Sequence, residues 1–266
     1  MPEYKRLPID SKGKLIKSEA GITSPKNLVI VKYPKSGSTF SLCDVPKILI
    51  ADSEGGTNYF KPNNKVLLFD ESVSDQFEKT TKYGYVPKTI FDLVDELNLA
   101  NNMTAYFKLH NQMENERDVK EQMNLYKQLL ELINKMPFPI LAIDTITSIT
   151  DISNSAALYE WHKTFPNANK KDSTKKVDDY GGVQYVRRKF AEIKAFIETN
   201  AAPFIQYHGH VASKKKVLKK GDEDITALDI ALDGIISTTF TAKADAVSTF
   251  YRDDKGCYLD FSKKEE

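Results

Sequence analysis

Lys32-Tyr33-Pro34-Lys35-Ser36-Gly37-Ser38-Thr39 decides how this chain of 266 residues is read. It lies close to G-x-x-x-x-G-K-[ST], a loop whose backbone N–H groups cradle phosphates while its lysine reaches the β- and γ-phosphates and its hydroxyl holds Mg²⁺. Aligned without gaps, Gly37 and Thr39 match, Lys32 stands at the first glycine and Ser38 stands at the lysine. The same residues are also a plain turn sequence, because Pro, Ser and Gly favour turns on their own account. The preceding residues weigh toward the loop: Leu-Val-Ile-Val at 28–31 is a short, β-branched apolar run that predicts a buried strand. A strand feeding a glycine-containing turn is the setting a phosphate loop requires.

Outward from this loop, short apolar runs alternate with longer segments of helical spacing, which predicts an α/β protein with a mostly parallel central sheet flanked by helices. Residues 45–51 give a second strand, ending in Asp52-Ser-Glu54-Gly-Gly-Thr57. Residues 89–101 and 119–135 carry apolar positions at helical intervals (Phe91, Val94, Leu97; Leu125, Leu129, Leu132). Pro137-Phe-Pro then introduces Ile140-Leu-Ala-Ile-Asp144, a buried strand closing in a carboxylate. An aspartate there faces the crevice where open α/β sheets bind ligands, or else serves as a helix N-cap. Residues 203–210 end a further strand in His208-Gly-His210, so one rim of the sheet collects the titratable groups. Residues 225–237, 246–252 and 257–261 read as strands, the last two joined by the turn Asp253-Asp-Lys-Gly256. They form a C-terminal antiparallel β extension.

Composition is that of an ordinary globular chain, with 41% hydrophobic and 28% charged residues, enough apolar matter for a core and too much for wholesale disorder. The formal net charge of +1 gives no global attraction to nucleic acid, so any such contact must come from local patches. The two cysteines, Cys43 and Cys257, match no zinc or redox spacing and predict free thiols in a reducing compartment. No leader and no long apolar run is read, so the expectation is no membrane and a cytoplasmic location. Residues 1–25 are read as an N-terminal extension, 26–262 as one nucleotide-binding domain and 263–266 as a charged tail.

Taken together, Tyr33-Pro-Lys-Ser-Gly-Ser-Thr39, Ile48-Leu-Ile-Ala-Asp-Ser-Glu54-Gly-Gly, Leu141-Ala-Ile-Asp144-Thr-Ile-Thr-Ser, Gly209-His210-Val211, Asp229-Ile-Ala-Leu-Asp-Gly234, Ala244-Asp245-Ala-Val and Tyr251-Arg252-Asp253 set out an order and spacing over residues 27–261. In that order the chain resembles the RecA-like P-loop NTPases. It is most similar to the small phage-type RecA-like ATPases of replication and recombination, some of which are single-strand annealing proteins. The resemblance implies a RecA-like fold, ATP and Mg²⁺ as cofactors, and residues 34–40 (Pro34, Lys35, Ser36, Gly37, Ser38, Thr39, Phe40) as the nucleotide loop. It implies that Glu54 polarises the attacking water, that Asp144 and Thr39 hold Mg²⁺, and that His210 is the polar sensor after the next strand. Ser38 departs from the pattern, since a neutral hydroxyl cannot neutralise transition-state charge as an ammonium does. Lys35 or Lys32, reaching in from another backbone position, would restore a cation.

Two polar, lysine-bearing segments follow strands of this rim. Residues 163–182 carry Lys163, Lys170, Lys171, Lys175 and Lys176, and lead into a helix with Arg187, Arg188 and Lys189; residues 213–220 carry Lys214, Lys215 and Lys216. In RecA-like proteins the loops at these two positions face the oligomer axis and contact DNA, so the resemblance implies single-stranded DNA as partner. It also implies a homo-oligomer and a possible single-strand-binding protein. Lysines on polar loops give salt-sensitive phosphate contacts, and Trp161, Phe165, Tyr180 and Tyr185 offer stacking faces. The bland alternative is a solvated loop beside aromatics that face a core. For function as a whole, an ATP-binding protein acting on single-stranded DNA stands against a pseudo-ATPase scaffold that has lost hydrolysis. In a phage-encoded chain the location would be the host cytoplasm.

Overall fold

Alternating Leu28, Val29, Ile30 and Val31 can be buried on both faces only in the interior of a sheet, and β1 (Asn27–Lys32) runs there, parallel to a strand on either side. The computed structural model describes residues 26–33, 35–43, 45–53, 55–59, 65–67, 76–165, 180–216, 225–230, 232, 240 and 244–261. After β1 come α1 (Ser38–Cys43), β2 (Ile48–Asp52), a 3₁₀ turn (Gly56–Tyr59) and β3 (Lys65–Leu67). A hairpin, β4 (Phe77–Thr80) and β5 (Gly84–Pro87), leads into α2 (Lys88–Asn101), α3 (Met103–Asn115) and α4 (Val119–Lys135). Then follow β6 (Ile140–Asp144), α5 (Ile146–Thr164), α6 (Tyr180–Asn200), β7 (Phe204–Lys216), β8 (Ile225–Ile230), β9 (Ala246–Asp253) and β10 (Gly256–Asp260).

The sheet has eight strands in the order β10-β9-β1-β7-β6-β2-β3, with β8 attached to β7. From β9 to β3 every pairing is parallel; β10 on β9 and β8 on β7 are antiparallel. The protein is therefore α/β with a mostly parallel sheet and antiparallel additions. One face, through Val29, Val31, Ala51, Leu141, Ile143, Ile205 and Tyr207, packs on α2, α5 and α6 in the main core. The opposite face meets α1, where Leu42 packs on Ile48, Ile50 and Ala142.

Three local devices hold the frame. Asp118 caps α4 by accepting from the N–H groups of Lys120 and Glu121, both at 2.9 Å. The buried Asn101 amide donates to the carbonyls of Phe138 at 2.8 Å and Ala201 at 3.1 Å, tying the end of α2 to the entries of β6 and β7. Gly209 lets β7 pass close under its neighbours: a Cβ there would lie 2.3 Å from Ile230 Cδ1.

Two sequence expectations are corrected. Residues 213–216, expected in a loop, continue β7 and pair with β8, Lys214, Lys215 and Lys216 standing opposite Ala227, Thr226 and Ile225. Residues 163 and 164 belong to the last turn of α5 rather than to a polar loop. Of the strand expected over 225–237, Ile225–Ile230 is a strand, and residues 231 and 233–237 lie outside the described residues. Among the described residues, no helix is long and apolar enough to cross a membrane.

Candidate functional site

Register places the site. Asp144 at the end of β6 is level with His208 on β7 and with Asp52 on β2, while Lys32 at the end of β1 is level with His210 on β7. Side chains alternate along a strand, so Lys32, Asp52, Asp144, His208 and His210 all project on the face that carries α1. That face is where the main core does not reach, and it holds the buried polar groups.

Thr39, in the first turn of α1, donates its hydroxyl to Asp144 Oδ2 at 2.8 Å, across 105 residues of sequence. The Lys32 ammonium crosses the width of β7 and forms an ion pair and hydrogen bond with Asp144 Oδ1. Two strand spacings, about 10 Å, separate β1 from β6, a gap that an extended lysine meeting an aspartate can close. Lys32 is 4% exposed and Asp144 3%, so this pair is shielded from solvent and its attraction is little screened. Burial pushes the Asp144 carboxyl upward, but the Lys32 ammonium, His208 and the hydrogen bonds from Lys32 and Thr39 outweigh it and hold the carboxyl below its ordinary value. It is ionised at neutral pH.

His208 sits beside this pair with neither ring nitrogen hydrogen-bonded among the described residues. Burial brings its pKa down from 6.5 to about 4, with Asp144 pulling the other way and Lys32 adding to the fall. The imidazole is neutral at pH 7, so the charges of Lys32 and Asp144 cancel and His208 adds none.

The loop itself is short. Ser36 N–H donates to the Tyr33 carbonyl at 3.2 Å, closing a turn, and Lys35 (φ 61°) and Gly37 (φ 89°) take left-handed backbone. Gly37 has open space around its Cα, so its glycine serves conformation rather than clearance. Ser36 is buried, and its hydroxyl has no partner among the described residues. Ser38, at the lysine position of the motif, is buried in the first turn of α1. Lys35 and Phe40 are exposed. Of the two lysines expected to replace the missing cation, Lys32 is committed to Asp144 and only Lys35 remains on the loop.

Behind the carboxylate, Ser53 clamps the ends of β2 and β6. Its N–H and hydroxyl donate to the Asp144 carbonyl at 2.8 and 3.0 Å, and its oxygen accepts from Thr145 N–H at 2.9 Å. Asp52 accepts from the N–H groups of Gly56 at 3.2 Å and Thr57 at 2.9 Å and from the Thr57 hydroxyl, fixing the 3₁₀ turn after β2. Sequence reasoning passed over Ser53 and Asp52 and gave His208 no role of its own, although the strand-end position that singled out Asp144 applied equally to Asp52.

The expected site residues divide. Thr39 and Asp144 are brought together; His210 is half-buried and stands at the level of Lys32 rather than of Asp144. Pro34, Glu54, Lys170, Lys171, Lys175 and Lys176 lie outside the described residues. Among the cations of α6, Arg188 bonds Glu160 at 2.8 Å and Glu192 at 3.2 Å. Lys189 is buried between Glu160 at 2.5 Å and Glu192 at 2.6 Å. Lys189 is therefore not a surface cation. The stacking candidates do assemble: the Trp161 ring lies 4.6 Å from Phe165 and 5.0 Å from Tyr185, with the Arg188 guanidinium 4.4 Å over Tyr185.

The two expected cofactors fit unequally. A phosphate finds left-handed loop backbone and the unpartnered Ser36 hydroxyl, so Ser36, Gly37 and Ser38 would hold it. Mg²⁺ does not fit Asp144 as it stands: the Lys32 ammonium lies on the carboxylate and cancels its charge, although the Thr39 hydroxyl, which donates to Asp144, keeps its lone pairs. Among the described residues, no three of His, Cys, Asp and Glu are grouped to hold a metal. No protein-family model matches the chain, and no curated protein matches it.

Proposed function

We propose that this chain is a RecA-like nucleotide-binding protein that acts on single-stranded DNA, with ATP as ligand and with impaired hydrolysis. The observation that carries the reading is the meeting of Thr39 with Asp144, which joins a glycine turn after the central strand to a carboxylate two strands away. A plain turn has no need of such a partner. Impairment follows from charge: Ser38 supplies no cation, and the Lys32 charge is spent on Asp144, so of the loop's lysines Lys35 alone is left to meet a triphosphate. The aromatic group Trp161, Phe165 and Tyr185, where α5 ends, supports the DNA part, with Phe165 exposed for stacking. The lysines that would contact phosphates are Lys170, Lys171, Lys175 and Lys176, with Lys214, Lys215 and Lys216 on β7.

A second reading, a pseudo-ATPase scaffold, is favoured by the same Lys32–Asp144 pair, because a neutralised carboxylate serves structure as readily as chemistry. Titration of a fluorescent ATP analogue against the chain and against Ser38→Lys separates them. Weak binding that strengthens in Ser38→Lys supports the nucleotide reading, and no binding to either supports the scaffold. For DNA, anisotropy of a labelled oligonucleotide should show affinity that falls as salt rises, and should weaken in Trp161→Ala/Phe165→Ala. Unchanged affinity in that variant and in Lys170→Ala/Lys171→Ala/Lys175→Ala/Lys176→Ala would contradict the DNA role.

A further inference from the structure

We propose that the Lys32 ammonium stands in the place of a divalent cation between the loop and Asp144, so that this site excludes metal and any anion it binds is bound without one. The proposal goes beyond the nucleotide reading and rests on it only for the choice of metal to test.

Three observations carry it. The residue types expected to surround a metal are present and in contact with each other, yet a lysine ammonium already pairs with the carboxylate. Lys32 comes from the last position of β1, flanked on both sides by parallel strands, so its Cα is fixed by the most constrained part of the sheet. Its side chain is buried, and it ends on one of two oxygens of a carboxylate whose other oxygen is also taken. A hard dication needs charged oxygen ligands and dehydrates reluctantly, and here the carboxylate's charge is already met by an ammonium. To enter here it would have to expel an ammonium into low-dielectric surroundings, against repulsion at close range. Nearby, His208, level with Asp144 on the adjacent strand, is neutral and brings no charge to the pair.

The arrangement also accounts for both departures from the motif at once. With glycine at position 32, Asp144 would face solvent or metal; with lysine there, the carboxylate is neutralised from within, and position 38 need not supply the charge that a metal-bound polyphosphate demands. What such a site suits is a phosphate group that arrives without a metal, those of ATP included. The Ser36 hydroxyl and the Gly37 turn then supply neutral donors.

The test titrates Mn²⁺ alone into the full chain and reads free Mn²⁺ by electron paramagnetic resonance. The wild type is expected to take up no Mn²⁺ that Asp144→Asn removes. Lys32→Met is expected to gain one site per chain, at least about tenfold tighter than any in the wild type, and Lys32→Met/Asp144→Asn to lose it. An Asp144-dependent Mn²⁺ site in the wild type overturns the proposal, as does a folded Lys32→Met chain with no gain. Should Lys32→Met not fold, the unmodified chain still decides: the Lys32 Nζ signal in nitrogen-15 spectra is expected to stay in place on addition of Mg²⁺, and its displacement by Mg²⁺ overturns the proposal. Neither readout needs nucleotide. Failure of ATP to bind would therefore count against the function proposed above and leave this result standing or falling by itself.

Discussion

Two lysines of this protein are buried among carboxylates, and they are buried for different purposes. Lys189 on α6 lies between Glu160 and Glu192, donates to the Tyr83 carbonyl at 3.2 Å, and sits 2.9 Å from where a Cβ on Gly84 would be, with Arg188 balancing the second carboxylate. Helix, helix and hairpin close around it. Lys32 has one carboxylate, and beside it stand a histidine and a serine hydroxyl with no hydrogen-bond partner among the described residues. The first cluster is closed by ion pairs: Glu160 Oε2 and Glu192 Oε2 have no hydrogen-bond partner among the described residues, but each lies against the Lys189 ammonium, so the cluster reads as a structural tie. The second leaves buried polar atoms unanswered at the end of a central strand, which is how a site differs from a brace.

The comparison breaks most readily at its closed end. Lys189→Met leaves two half-buried carboxylates with Arg188 as their remaining cation and should lower stability by up to about 3–5 kcal/mol in urea denaturation. Adding Glu160→Gln should restore only part of the loss: Arg188 still pairs Glu192, but the bond from Lys189 to the Tyr83 carbonyl stays lost. Lys32→Met should also destabilise, yet Lys32→Met/Asp144→Asn should recover most of the loss, because one neutralised carboxyl ends the conflict. Equal recovery in both pairs would erase the distinction.

His208 sharpens it next. In the folded chain its pKa is about 4 against 6.5 ordinarily, so between those values the unfolded chain binds the extra proton. Stability should be fully present above pH 6.5 and drain away as pH falls through about 4, by on the order of 3 kcal/mol for a shift of that size. His208→Leu should flatten that acid limb in denaturation curves taken across the window. A limb of unchanged slope would mean that Asp144, whose own loss lies at lower pH, carries the acid response alone.

Smaller effects follow at the glycines and the loop. Gly209→Ala places a Cβ 2.3 Å from Ile230 Cδ1 and 2.9 Å from Ile146 Cγ2, and should lower stability by about 1–3 kcal/mol, partly relieved by Ile230→Val. Lys35→Ala, on an exposed side chain, should stay within about 0.5 kcal/mol of the parent while weakening any phosphate binding. Loss of stability there would show that the loop, too, is a brace.

Much of this frame was legible from local pattern. β1, α2, α4, β6 and the β9–β10 hairpin carry clean periodicity or clear turn residues, and α4 occupies the residues its spacing predicts. α5 was not legible. Its first half is Ile-Thr-Ser-Ile-Thr-Asp-Ile-Ser-Asn-Ser, β-branched and polar, and poor in helix formers. It is helical because Ile146, Ile149, Ile152, Ala156 and Ala157 are buried in the main core, so packing overrides propensity. The β4–β5 hairpin escaped for the opposite reason: its strands are only four residues long and half exposed. In the site, Thr39 and Asp144 were expected together only through the resemblance, which assigned both to one Mg²⁺. The Lys32–Asp144 pair was beyond sequence reading because it depends on which strand lies between β1 and β6, a fact of topology that no local spacing encodes.

The most direct test of the claim that a lysine holds the cation place is anomalous diffraction from crystals of the full chain grown with Mn²⁺ and ATP. The account predicts no Mn²⁺ between Thr39 and Asp144, with Lys32 Nζ still on the carboxylate. An anomalous peak at metal–oxygen distance from Asp144, about 2.1 Å, with Lys32 swung away, would contradict it.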